Sequence, residues 1–113
     1  MTYPALYSDS LVEITDHAIL LRLYYFPIGL KRVSFADIES IAIESSPLPF
    51  RYQYRLWGSD DWRIWFACDW YRPTRNMVFK MKLKNQSMQV GFTVENSQAV
   101  LQILQRKQLQ LQI

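Results

Sequence analysis

The stretch from Asn76 to Ile113 constrains the fold more than any other part of the chain. Two alternating runs, Met77 to Lys84 (MVFKMKLK) and Met88 to Val94 (MQVGFTV), lead directly into an amphipathic segment. Apolar and polar residues alternating at period two mark strands with one buried face, and an even-numbered loop centred on Asn85-Gln86 joins them as a hairpin. This register pairs Leu83 with Met88, Met81 with Val90, Phe79 with Phe92 and Met77 with Val94, so that all the pairs on one face are apolar. A slip by one residue would turn each apolar set towards water, which specifies the register even though Asn-Gln is a weaker turn signal than Asn-Gly. Lys80, Lys82 and Lys84 line the opposite face, and Gly91 beside Lys80 suggests a bulge or a close approach of backbone.

Behind the hairpin, Asn96 is placed to cap a helix. Val100, Ile103 and Leu104 recur at helical spacing and Leu101 widens the stripe, giving about three turns. The closing residues Gln108 to Ile113 (QLQLQI) change to period two. Either the helix continues there with a poorer stripe, or the chain becomes an extended tail able to pair with another chain's sheet edge.

Earlier in the chain, Leu11 to Thr15 and Ala18 to Phe26 are separated by Asp16-His17, a gap that suits a tight hairpin. Ile14 then faces Ile19 and Val12 faces Leu21 on the core side, with Glu13, Thr15, Arg22 and Tyr24 on the wet side. Pro27 and Gly29 end the second strand, Lys31 to Phe35 forms a short one, and Ala36-Asp37 makes a corner. Ile38 to Glu44 reads as a strand with Ile41 and Ile43 as its apolar pair, although seven residues would also fit a helix. The breaker Ser45-Ser-Pro-Leu-Pro follows, then Phe50 to Trp57, whose alternation of aromatic and polar residues suits an edge strand or an extended loop. Gly58 to Asp61 is expected to turn. Trp62 to Cys68 is expected as a strand with Trp62, Ile64, Phe66 and Cys68 inward and Arg63, Trp65 and Ala67 outward, and Asp69 to Arg75 as a loop.

The 113 residues suffice for one domain, 1–113, with a core of about 8–108 and a tail of 109–113. Half of the residues are hydrophobic and 15% are aromatic, which argues for a β-rich globule and against a disordered or coiled-coil chain. The amino terminus has neither the basic nor the apolar region of a signal peptide, and no apolar run approaches the roughly 20 residues that span a bilayer. A single cysteine, Cys68, excludes an internal disulfide, so a cytoplasmic protein is expected.

Seven strands followed by one terminal helix resembles the bacterial branch of the pleckstrin-homology superfold. The residues that carry the resemblance are Ile14 to Leu21 (ITDHAILL), Val33 to Ile41 (VSFADIESI) and Phe92 to Leu101 (FTVENSQAVL). It implies a mainly β fold with one helix: a seven-stranded antiparallel sandwich or partly open barrel capped by a C-terminal helix. Members that bind phosphoinositides place a basic motif near the first hairpin loop. Here that loop is Thr15-Asp16-His17 with Glu13 beside it, so this activity is not carried over.

Catalysis is not expected. His17 is the only histidine and sits in a turn, Cys68 points inward as a small hydrophobe, and Asp60-Asp61 are turn formers rather than a carboxylate pair. Gly29, Gly58 and Gly91 are isolated, so no phosphate loop exists, and no metal, cofactor or small-molecule substrate is anticipated. Charge is uneven: residues 1–50 hold three basic and six acidic side chains, residues 51–84 eight basic and three acidic. The basic part is also aromatic, with Arg55, Trp57, Trp65, Trp70, Tyr71, Arg72 and Arg75 as candidate partner-binding residues, against the alternative that these rings close the core. Three functions follow in order: protein interaction or self-association; attachment of Lys80, Lys82 and Lys84 to an anionic membrane surface; and, weakest, nucleic-acid binding.

Overall fold

The computed structural model describes residues 5–24, 29–45, 58–61, 64–69, 77–107, 109 and 111–112. These residues form a mainly β protein with two sheets and one C-terminal helix. The first sheet has the order β1 (Tyr7–Ser8), β2 (Val12–Ile14), β3 (Ala18–Leu21) and β4 (Lys31–Ser34), all antiparallel. Ile14 lies opposite Ile19 and Val12 opposite Leu21, as the alternation requires. The Thr15 hydroxyl closes the turn by accepting from the backbone N–H of His17 and of Ala18, both at 3.2 Å. At Gly29 the backbone takes φ 148°, a conformation that side chains with a Cβ rarely adopt.

A 3₁₀ turn, Phe35–Asp37, carries the chain into β5 (Ile38–Ser45), where the strand is realised and not the helix. β5 belongs to the second sheet, with β6 (Gly58–Asp61), β7 (Ile64–Phe66), β8 (Met77–Leu83), β9 (Gln89–Phe92) and β10 (Leu111–Gln112) in the spatial order β10-β5-β8-β9-β7-β6. β8 is the centre of this sheet. It pairs with β5 along its whole length and with β9 through Phe79–Phe92, Lys80–Gly91 and Met81–Val90. The ladder stops there. The expected Leu83–Met88 and Met77–Val94 rungs do not form, although Leu83 and Met77 pair with Ile38 and Ser45 on the other edge of β8. Asn85 closes the hairpin at φ 62°, a left-handed position that Asn tolerates better than most residues.

Among the described residues there are ten strands where seven were expected, and two of the pairings are parallel: β7 with β9 and β10 with β5. β7 does not sit beside β8, its successor in the described sequence, but crosses to the far side of β9. Gly91 gives the physical reason. Phe66 lies in register with Gly91, and a Cβ at position 91 would lie well inside 3.0 Å of the Phe66 ring, so the missing side chain is the seat of that ring. Gly58–Asp61, expected as a turn, pairs with β7 as a strand.

The two sheets and the helix α1 (Ser97–Arg106) share one main core, a sandwich-like arrangement filled by Ile14, Leu21, Ile41, Phe79, Phe92 and Leu104 among others. Phe79 and Phe92 stack across the ladder with centroids 5.1 Å apart and planes 14° from parallel. Ile64 and Phe66 are buried as expected, but not in the main core. Trp65 and Ala67 pack against the main core, whereas Ile64 and Phe66 form a small separate cluster with Val78 on the other face of the sheet. Cys68 is buried, as anticipated; Trp62 and Arg63 lie outside the described residues.

α1 begins at Asn96, whose side chain accepts the Ala99 N–H at 3.2 Å, and buries Val100, Ile103 and Leu104. Both of its ends are tied to the first sheet. At the C-terminal end, Lys107 Nζ donates to the Asp16 carboxylate at 3.0 Å and lies 5.5 Å above the centre of the Phe35 ring. The tail then runs beside β5 of the same chain, neither as continued helix nor as a free strand. Two outcomes follow. Asn96→Ala should lower unfolding free energy by about 1 kcal/mol in urea titrations, with Asn96→Asp nearly neutral. Gly91→Ala should cost about 1–3 kcal/mol by the same measurement, and less in a Phe66→Leu background, because the ring is what the new methyl meets.

Candidate functional site

The lysine stripe is the first candidate to resolve. Pairing of β5 with β8 sets acidic residues of the first half beside it: Lys80 is ion-paired with Glu44, and Lys82 Nζ lies 3.4 Å from the Glu39 carboxylate. Glu39 reaches Lys82 because a bulge between Ile38 and Ser40 shifts the register there. Two of the basic residues of the second half are thus matched in space by acidic residues of the first. Lys84 remains exposed, its backbone N–H donating to the Asp37 carbonyl at 2.9 Å.

A polar cluster at the start of α1 is the second candidate. Asp9 Oδ1 accepts the N–H groups of Leu11 at 2.7 Å and Val12 at 2.8 Å, and Oδ2 accepts the Glu95 N–H at 2.9 Å together with the Tyr7 hydroxyl. The Tyr7 oxygen accepts the Asn96 N–H at 3.0 Å. Glu95 in turn accepts from the backbone and hydroxyl of Ser10, and Arg22 binds the Asp9 carbonyl at 3.0 Å. Two carboxylates and two hydroxyls meet here, and most of their contacts go to backbone amides and to one another. The cluster is a clamp that joins the β1–β2 turn to the helix cap.

The third candidate is an open groove of about 320 Å³ between the two sheets, lined by Tyr24, Lys31, Trp65, Gln86, Met88 and Val90. Trp65 forms part of its wall. Its indole N–H donates to the Tyr24 carbonyl at 3.2 Å, and the two rings are tilted by 51° with centroids 6.4 Å apart. Trp65 is therefore half-buried and fixed, not the exposed ring expected from the alternation of its strand. Lys31 Nζ sits 5.3 Å from the Tyr24 centroid, a cation–π distance, at the start of β4. Met88 and Gln86 come from the β8–β9 loop and Val90 from β9.

Among the described residues this lining holds no carboxylate, imidazole or thiol. Aromatic rings, a polarizable thioether, one amide and one cation can bind an apolar group with a polar neighbour. Among the described residues no group of three or more His, Cys, Asp and Glu side chains could hold a metal ion, and no helix is long and apolar enough to cross a membrane. Cys68 is buried, its N–H donating to the Leu23 carbonyl at 3.1 Å, and His17 is an exposed turn residue whose carbonyl accepts the Phe35 N–H at 3.0 Å.

Of the seven expected partner-binding residues, Trp65 is the one the structure describes, and it lines this groove. Arg55, Trp57, Trp70, Tyr71, Arg72 and Arg75 lie outside the described residues. Tyr24, expected on the wet face of its strand, is buried in the main core instead, and neither it nor Lys31 and Met88 was singled out as a site residue, because nothing local brings three elements together. Only the crossing of β7 over β9 does so. Comparison with protein-family models, with curated proteins and with solved structures finds no match to the chain.

The polar clamp gives a pH dependence. Burial, followed by the hydrogen bond to the Asp9 carboxylate, pushes the Tyr7 phenol up from 10.0 to about 12, against the opposing effect of the Asn96 N–H. The folded state thus holds the phenolic proton more tightly. Its contribution is complete below pH 10 and is withdrawn as the pH rises towards 12. The difference in unfolding free energy between the wild type and Tyr7→Phe, measured by urea titration, should be constant at neutral pH and shrink above pH 10.

Proposed function

We propose that the chain is a non-catalytic binding module that captures a polypeptide segment in the groove formed by Tyr24, Trp65 and Met88. The order of strands followed by a terminal helix, with two sheets around one core, supports a pleckstrin-homology-like scaffold for it, although the strand count and the parallel pairings depart from that pattern. One observation carries the reading. Trp65, the expected interface residue that the structure describes, stands in the wall of an open, mainly apolar groove with its polar atom already hydrogen-bonded. An aromatic side chain held in this way presents a large contact surface at little entropic cost, which is how anchor residues at interfaces work.

The preferred occupant is a segment with an aliphatic or aromatic anchor, because Met88 and the tilted rings adapt to apolar shapes better than they discriminate among polar ones. Binding to an anionic membrane surface ranks lower: Lys80 and Lys82 are engaged by Glu44 and Glu39, which leaves that face close to neutral. A cytoplasmic location is part of the proposal, and the buried thiol of Cys68 fits a reducing compartment.

The test is selection of peptides from a random displayed library on the purified protein, with Met88→Glu as the counter-target. Met88 is half-buried in a loop, so the variant should keep its fold, which circular dichroism would verify. Enriched peptides should share an apolar anchor and lose at least about tenfold in affinity on the variant. If no peptide prefers the wild type, the groove is not the binding site. Flotation with phosphatidylserine vesicles forms the second arm: capture that is abolished by salt and unaffected by Met88→Glu would favour the membrane reading instead.

A further inference from the structure

The outer edge of β5 is covered in an unusual way. Along its inner edge this eight-residue strand pairs with β8 at seven positions, but among the described residues the outer edge carries only β10, two residues in parallel register, Leu111 with Ile41 and Gln112 with Ala42. Leu109 and Leu111 are half-buried against the main core, so the seat is complementary to the tail on its apolar side as well as through its backbone.

The turn that delivers the tail to this seat is not written locally. Lys107, the last residue of the helical region, has right-handed backbone angles of φ −78° and ψ −1°. No glycine, asparagine or proline follows it, and Gln and Leu are good helix formers. What ends the helix is tertiary: the Lys107 ion pair with Asp16, the Phe35 ring beneath its ammonium group, and the docking of Leu109 and Leu111. The Asp16 side chain is 58% exposed, so water and salt compete for that ion pair.

We propose that the tail is an exchangeable strand, by which two copies of the chain pair reciprocally, each laying its residues 109–112 on the outer edge of the partner's β5. Every copy carries the same seat and the same strand, so exchange preserves the tail–β5 contacts and changes only the path of the chain after Lys107. A strand held by a two-residue ladder belongs to the least stable part of a structure, where local opening precedes global unfolding. Opening lets the helix extend past Lys107 and carries the apolar tail away from its own body. The second copy is the natural occupant because it supplies the one strand this seat is shown to fit. This inference concerns the edge of the second sheet and does not depend on the groove at Trp65.

The doubly substituted chain Ala42→Cys/Gln112→Cys tests the proposal, since these two positions are paired in the register. Oxidised at low concentration it should form an intrachain bond. Oxidised at high concentration it should form covalent dimers, with peptide mass spectrometry placing the bond between position 42 of one copy and position 112 of the other; the two singly substituted variants, each keeping the buried native Cys68, are the controls. Native mass spectrometry of the unsubstituted chain should show dimer rising with concentration, and a chain ending at Lys107 should show none. Met88→Glu should leave the dimer unchanged, which separates this result from the fate of the groove. Exclusively intrachain bonds at every concentration, or a dimer that persists in the shortened chain, would overturn the proposal.

Discussion

The register of the β8–β9 hairpin is the constraint on which the rest of the structure depends. Phe79 and Phe92 are directly paired, fully buried and stacked, so a shift by one residue would send both rings into water. With that register in place, Met81 and Val90 fall on the same face and Lys80 is set opposite Gly91 on the other. β5 then docks on the free edge of β8 with Ile41 and Ile43 on the core side, and β7 on the free edge of β9 with Phe66 over Gly91. One hairpin thus positions both flanks of the second sheet, including the indole that walls the groove.

The helix closes the molecule because it is held at both ends and along one face. Asp9 and Tyr7 engage the backbone at its start, Lys107 engages Asp16 and Phe35 at its end, and Val100, Ile103 and Leu104 enter the core between them. Polar contacts of this kind contribute modestly one by one, but together they fix both ends of the helix. The same economy governs the lysine stripe. Glu39 and Glu44 neutralise it across a strand pair separated by about forty residues, so what looks like an anion-binding face in the linear chain is a cross-strand ion-pair ladder in the folded one.

Much of the fold was legible because it follows from short-range periodicity. The Asp16-His17 hairpin, the strand at Ile38, the Phe79–Phe92 rung and the Asn96 cap each depend on residues close in sequence, and each lies where the alternation and the capping preference put it. Which face of β7 meets the main core is something that periodicity cannot supply. Alternation says that Ile64 and Phe66 share a side opposite Trp65 and Ala67, which is correct, but it does not say which side meets the main core when both are apolar. The groove was missed for the same reason: Tyr24, Trp65 and Met88 are far apart in the chain and carry no shared motif.

By itself, then, the sequence determined the β-rich class, the two hairpin registers, the terminal helix with its cap, and the absence of any histidine or cysteine pair on which familiar catalytic sites rely. These are properties of local pattern and composition, where the burial of one face or the presence of one side chain is decisive. Only the tertiary structure decided that β7 crosses β9 to run parallel to it, that Glu39 and Glu44 meet the lysines, and that the Gln-Leu tail leaves the helix to lie on β5. Each of these is a choice between edges or partners of similar local fitness. The balance is set by long-range packing, a ring over a glycine or two leucines against a shared core, and that energy exists only once the chain is folded.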